Sequence, residues 1–221
     1  MGPILRLPSL VTLKGNRLCV HGAYVPNTAI TTTLKHLILD NTCADIGGID
    51  WILIKGPSLE TLSLRWGDES VCECPFEYAG LVASAGQGGR SLKHLRVRPS
   101  EIDEIPFWPA DLLRLPDLES LSLPAGGSFG AEMEESDKYR LLEKMPTTLK
   151  TLDLTGSDES LCDHVDYDTV IYEIPTSDRF PHLTTVSILR DAWFSRDLSA
   201  TSWVEHSNKE CHVLLQREQR E

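Results

Sequence analysis

Long apolar runs are missing from this chain of 221 residues. None approaches the roughly 20 residues that a membrane-crossing helix needs, so no transmembrane span is expected. The first 15 residues lack the uninterrupted apolar stretch of a secretory signal. Gly2 follows Met1, but Arg6 stands where a myristoylation signal requires Ser or Thr. No Asn-x-Ser/Thr acceptor occurs, and the six cysteines fall at irregular spacings without the look of a disulfide framework. A cytoplasmic or nuclear chain with reduced thiols is therefore expected. Basic residues are also scarce: 21 Lys and Arg face 33 Asp and Glu, for a net charge of -12. Nucleic-acid binding needs a basic footprint, so no nucleic-acid partner is expected, and no membrane partner either. The acidic surplus is uneven, with 19 of the 33 acidic side chains in residues 101–178, a stretch read as solvated loops.

Catalytic and metal motifs are equally thin. Cys72-x-Cys74 offers two thiolates, but a structural zinc site wants a two- to four-residue spacing and a second ligand pair. Those thiols read better as loop or buried side chains. Seven histidines are present, yet no spacing pairs one with a cysteine as a nucleophile. Gly86-Gln-Gly88-Gly89 lacks the following Lys and Ser/Thr of a phosphate loop. Asp163, Asp166 and Asp168 lack the glycine and closing glutamate of a calcium loop. No catalytic residue, metal or cofactor is assigned, and enzymatic activity is not expected.

What the chain does have is a repeat. The frame Leu-x-x-Leu-x-Leu, with aliphatic exchange, appears as Leu34-Lys-His-Leu37-Ile-Leu39 and Leu59-Glu-Thr-Leu62-Ser-Leu64. It returns as Leu92-Lys-His-Leu95-Arg-Val97, Leu118-Glu-Ser-Leu121-Ser-Leu123, Leu149-Lys-Thr-Leu152-Asp-Leu154 and Leu183-Thr-Thr-Val186-Ser-Ile188. A weaker copy opens at Leu10. The steps between starts are 24, 25, 33, 26, 31 and 34 residues. Leucine-rich repeats run about 20–29 residues, so three steps fit and three carry insertions. Two copies match further, because Asp-Glu-Ser-x-Cys recurs in frame at Asp68–Cys72 and Asp158–Cys162. Proline precedes four of the starts, at Pro8, Pro57, Pro116 and Pro181, and is read as setting an extended entry to each strand.

The alternation within Leu-x-Leu puts both leucines on one face of a short strand. Burying three aliphatic side chains stabilises each repeat by about 5–9 kcal/mol, and ordering costs about 1.5 kcal/mol per residue. A repeat cannot fold alone, so the copies must stack. The expected fold is α/β: a single curved leucine-rich-repeat solenoid over residues 1–221, with about seven parallel strands on a concave side. Residues 190–221 form a C-terminal cap or tail. Helical or irregular returns bury five apolar clusters: Ile46, Ile49, Trp51, Ile52 and Leu53; Phe76, Tyr78, Ala79, Leu81 and Val82; Trp108, Leu112, Leu113 and Leu115; Tyr139, Leu141, Leu142 and Met145; and Val170, Ile171 and Ile174. The residues between the leucines form rows on the concave face. Arg65, Trp66, Arg96 and Arg98 stand out there, because arginine and tryptophan are enriched at binding hot spots. With His94 and Asp153 on the same strands, they form the candidate protein-binding residues. Ser122 is expected to be exposed beside them.

The frame Ser/Thr-Leu-x-x-Leu-x-Leu resembles leucine-rich-repeat proteins over about residues 10–189. Its irregular spacing is similar to the repeat region of fungal F-box leucine-rich-repeat proteins. In that family the F-box docks on a ubiquitin-ligase core and the repeats hold the substrate. The resemblance therefore implies a non-enzymatic protein-interaction module whose partner lies on the concave face. The residues ahead of Leu10 show no F-box, so a ubiquitin-ligase adaptor is expected only if an F-box is supplied elsewhere. The alternative expectation is a structural or truncated repeat fragment without a dedicated partner.

Overall fold

A computed structural model describes residues 7–22, 33–67, 91–98, 112–123, 143–154, 174, 177–189, 203–207 and 212–217. Its framework is an open, mostly parallel sheet. Strands β1 (Thr12–Asn16), β2 (Cys19–Val20) and β3 (His36–Ala44) lead into helix α1 (Ile46–Lys55). Strands β4 (Thr61–Trp66), β5 (His94–Arg98), β6 (Ser120–Ser122), β7 (Thr151–Asp153) and β8 (Thr185–Leu189) follow, with a short 3-10 turn at Leu112–Arg114. The chain closes with β9 (Trp203–Ser207) and β10 (His212–Arg217). The sheet order is β1-β3-β4-β5-β6-β7-β8-β10-β9, and β2 pairs with the far end of β3.

Each strand from β1 to β8, apart from β2, begins two residues after a repeat leucine. Neighbours pair parallel and in repeat register: Leu13, Leu37, Leu62, Leu95, Leu121, Leu152 and Val186 form one inner column across seven strands. These side chains and the second column of Leu39, Leu64 and Val97 join one continuous core. Parallel strands require a crossover between them, which explains why no step is shorter than 24 residues. Within the C-terminal segment read as a cap or tail, the described strands are antiparallel, and β10 pairs with both β8 and β9. Of the expected return helices, α1 is seen; Phe76, Trp108, Tyr139 and Val170 lie outside the described residues, but Met145 and Ile174 from the last two clusters are buried. Leu112 and Leu115 are buried as expected, but Leu113 is 48% exposed. In the 3-10 turn it points away from its two neighbours.

Two devices hold successive repeats in register. Proline takes the second position of a turn whose fourth residue is the repeat leucine: Leu10, Leu59, Leu118 and Leu183 donate their N–H to Leu7, Gly56, Leu115 and Phe180. Its fixed φ suits that turn position, so proline makes a turn here and not an extended entry. The alternate repeats carry a hydroxyl instead, and it reaches back to the preceding proline carbonyl. Thr33, Ser91 and Thr148 donate to Pro8, Pro57 and Pro116 at 3.0, 2.8 and 3.0 Å. Arg217 Nη1 fills the same role toward Pro181 at 3.1 Å, so β10 continues the pattern where the repeats stop.

Charge alternates with the same two-repeat period. Lys35, Glu60, Lys93, Glu119 and Lys150 each follow a repeat leucine. Glu60 pairs with Lys35 at 2.8 Å and Lys93 at 3.4 Å, and Glu119 pairs with Lys150 at 2.9 Å. The hydrogen bond from Lys35 holds the Glu60 carboxyl below the usual glutamate range, and Lys150 does the same for Glu119. A depressed carboxylate contributes stability above its unfolded value of about 4.3, and the contribution is lost as pH falls through the folded value. A Glu60→Gln/Glu119→Gln chain is therefore expected to lose less stability on acidification than the parent. Urea midpoints measured on both sides of that value check this; parallel acid curves for the two chains would contradict it.

Candidate functional site

The face of the sheet opposite the leucines carries the residues that the sequence singled out. Strand alternation puts Arg65 of β4 and Arg96 and Arg98 of β5 on that face. Register sets Arg65 directly beside Arg98, and Ser63 beside Arg96. Arg96 lies opposite Ser122 of β6, and Ser122 lies opposite Asp153 of β7. Three guanidinium groups thus occupy two adjacent strands, with Arg65 and Arg96 exposed. His94 is also exposed, two residues before Arg96, and pairs in register with Thr61.

Arg98 differs from the other two. Its Nη2 lies 3.5 Å from Oδ2 of Asp153, two strands away. To reach it, the side chain must pass over the short strand β6. The same oxygen accepts a hydrogen bond from the Ser122 hydroxyl at 2.9 Å. Ser122 is therefore 6% exposed and not the open surface residue expected from alternation alone. Alternation gives the side of the sheet, but it does not show that a long side chain from another strand will cover that side. Burial and the neighbouring Arg96 and Arg65 push the Arg98 guanidinium below its ordinary value, against an opposing pull from Asp153. Among the described residues, its buried Nε makes no hydrogen bond.

Trp66 corrects the sequence reading. It is 8% exposed and belongs to the core. Its position follows from the two-residue period: Leu62, Leu64 and Trp66 share the inner face, and Arg65 between them points outward. Asp153 is on the expected face, but it is bound to Arg98 and Ser122 within the chain. The outer row is also displaced at Asp40. Leu39 pairs with Leu64 and Thr42 with Trp66, so β3 carries one extra residue there. Asn41, with φ of 49°, is in the left-handed region and takes up that residue as a bulge.

Ser122→Ala is expected to cost about 1 kcal/mol, because it removes a hydroxyl donor from a covered carboxylate. Equilibrium unfolding in urea checks this. A change within about 0.3 kcal/mol would mean that the Ser122–Asp153 bond contributes nothing.

The chemical motifs considered in the sequence, Cys72-x-Cys74, the 86–89 glycines and the 163–168 aspartates, lie outside the described residues. The structure instead gathers Cys19, His21 and Cys43, which sequence reading had not connected. The signal was present in the repeat itself: Cys19 lies nine residues after Leu10, and Cys43 nine residues after Leu34. Comparison of the chain with protein-family models, curated proteins and solved structures finds no match.

Proposed function

We propose that this chain is a leucine-rich-repeat solenoid that binds an acidic protein partner on the outer face of β4 and β5. The solenoid reading is supported by seven parallel strands in chain order, each opening at the same point of its repeat. The binding reading rests on one observation: three arginines share two neighbouring strands, and one carboxylate, Asp153, partly offsets them.

The chemistry favours carboxylates in the partner. Arg65 and Arg96 present exposed guanidinium forks that pair bidentately with planar anions. Among the described residues, Arg98 is held by one Nη2 contact while its Nε lacks an acceptor. Such a covered donor costs about 1–3 kcal/mol. A partner carboxylate gripping Nε and Nη2 together would recover it. The acidic stretch at 101–178 would repel the same partner and so bias its orientation. The resemblance to F-box repeat proteins extends this reading to the substrate-holding half of a ubiquitin-ligase receptor, with the F-box supplied elsewhere.

Selection of random peptides displayed against the intact chain tests the reading. The expected winners carry clustered Asp and Glu, and their binding weakens as salt rises. A basic or purely apolar consensus, insensitive to salt, would overturn it.

A further inference from the structure

Where β2 pairs with the end of β3, two Cys-x-acceptor segments lie side by side. Strand β2 carries Cys19 and Val20 and runs into His21; β3 ends with Cys43 and Ala44 and runs into Asp45. Cys19 pairs in register with Cys43, and Val20 with Ala44. Alternation turns Val20 and Ala44 into the core, where both are buried. The same alternation puts Cys19 and His21, and likewise Cys43 and Asp45, on the opposite face. The result is a two-by-two grid of side chains on adjacent parallel strands.

The grid is compact. The two Sγ atoms are 2.8 Å apart, and His21 Nε2 is 3.6 Å from Cys43 Sγ. All three ligand atoms lie within 4.8 Å of one another. Asp45 completes the arrangement from behind. Its Oδ2 lies 3.4 Å from His21 Nδ1. Its Oδ1 accepts the N–H of Gly48 at 2.6 Å and of Gly22 at 2.8 Å. The Gly48 bond makes Asp45 the N-cap of α1, and the two bonds together fix its carboxylate. A Cβ on Gly48 would stand 2.3 Å from the Val20 carbonyl oxygen, so glycine is what lets the helix start so close to β2.

We propose that Cys19, His21 and Cys43 form a zinc(II) site that staples the first two repeats together. Two thiolates and an imidazole are the soft and borderline donors that zinc takes, water entering beside exposed Cys19 would fill the fourth tetrahedral position, and a carboxylate on the far ring nitrogen orients a zinc-bound histidine. Zinc–sulfur bonds of about 2.3 Å at tetrahedral angles put two sulfurs about 3.8 Å apart, so binding opens the pair by about 1 Å. Each thiol gives its proton to solvent as the metal enters. Cys19 is exposed and provides the way in, while Cys43 is buried. The site joins the first repeat to the second, next to the β1 edge of the sheet, where a solenoid needs a cap. It does not depend on the arginine face.

The test uses the reduced full-length chain with Cys72, Cys74, Cys162 and Cys211 changed to serine. Titration with cobalt(II) is expected to give a thiolate charge-transfer band and tetrahedral visible bands that saturate at one ion per chain and vanish on adding zinc. Cys19→Ser should abolish the charge-transfer spectrum, and His21→Asn should weaken binding at least tenfold. Zinc should raise the melting temperature of the parent but not of Cys19→Ser. If the serine background does not fold, chelator competition on the native-cysteine chain provides the readout, with Cys19→Ser expected to lose one zinc equivalent. Absence of the bands, bands that survive both substitutions, or a Cys19–Cys43 disulfide that takes up no metal after reduction would overturn the proposal.

Discussion

Leu121→Ala is expected to lower stability by about 2–5 kcal/mol. Leu121 is fully buried and sits in the middle of the sheet, paired in register with Leu95 on one side and Leu152 on the other. Both neighbours belong to rigid strands of the same core, so the void left by truncation has little room to collapse. The cost therefore includes the unfilled cavity as well as the lost transfer free energy. Because each repeat depends on its neighbours, the loss should be felt in the cooperative transition and not as local fraying. Leu113→Ala is the matched control. Leu113 is largely exposed beside buried Leu112, and its truncation should change stability by less than about 0.5 kcal/mol. Urea denaturation of the two variants checks the pair. Equal effects would mean that the columns of leucines do not form the core.

Arg96→Ala/Arg98→Ala is expected to weaken binding of an acidic partner peptide about 10- to 100-fold while leaving melting nearly unchanged. Charge-assisted hydrogen bonds to arginine contribute about 1.5–3 kcal/mol each, so two lost forks readily reach one to two decades in affinity. The fold should tolerate the change. Arg96 is exposed, and the Arg98–Asp153 pair is about a third open to solvent. Exposed ion pairs contribute about 0–1 kcal/mol. Losing Arg98 also uncovers Asp153 and Ser122 to water, so neither is left buried and unpaired. The association rate should fall with the same substitutions and lose much of its salt dependence, since steering by the arginines would be gone. A drop in melting temperature as large as that of Leu121→Ala would assign these residues to folding and not to binding.

The strand positions were legible in the sequence because the leucine frame has a period of two and the copies stack in register. Row after row of cross-strand partners, such as Thr61 with His94 and Ser63 with Arg96, follows from that frame alone. Three features were less accessible. Trp66 was placed with Arg65 by sequence proximity, although the period that placed Leu62 and Leu64 also turns Trp66 inward. Ser122 was placed on the correct side, but its burial depends on an arginine two residues past its register partner reaching across to β7. No local pattern contains that reach. The Cys19–His21–Cys43 cluster needed the first, weakest repeat to be aligned with the second, and the departures of that repeat from the leucine frame hid the equivalence. The alternation of Pro-x-Leu with Ser/Thr-Leu-Lys was present in the letters all along. Its meaning, a hydroxyl reaching a proline carbonyl one repeat away, appears only once the strands are neighbours.

The most direct test of the central claim is an NMR titration that follows the arginine Nε–H resonances of the intact chain as an acidic peptide from the display selection is added. The Nε–H signals of Arg65, Arg96 and Arg98 are expected to shift together and saturate at one peptide per chain, while those of Arg17, Arg114 and Arg179 stay in place. Saturable binding that leaves the first three unmoved, or that shifts the second set instead, would contradict it and move the partner away from the outer face of β4 and β5.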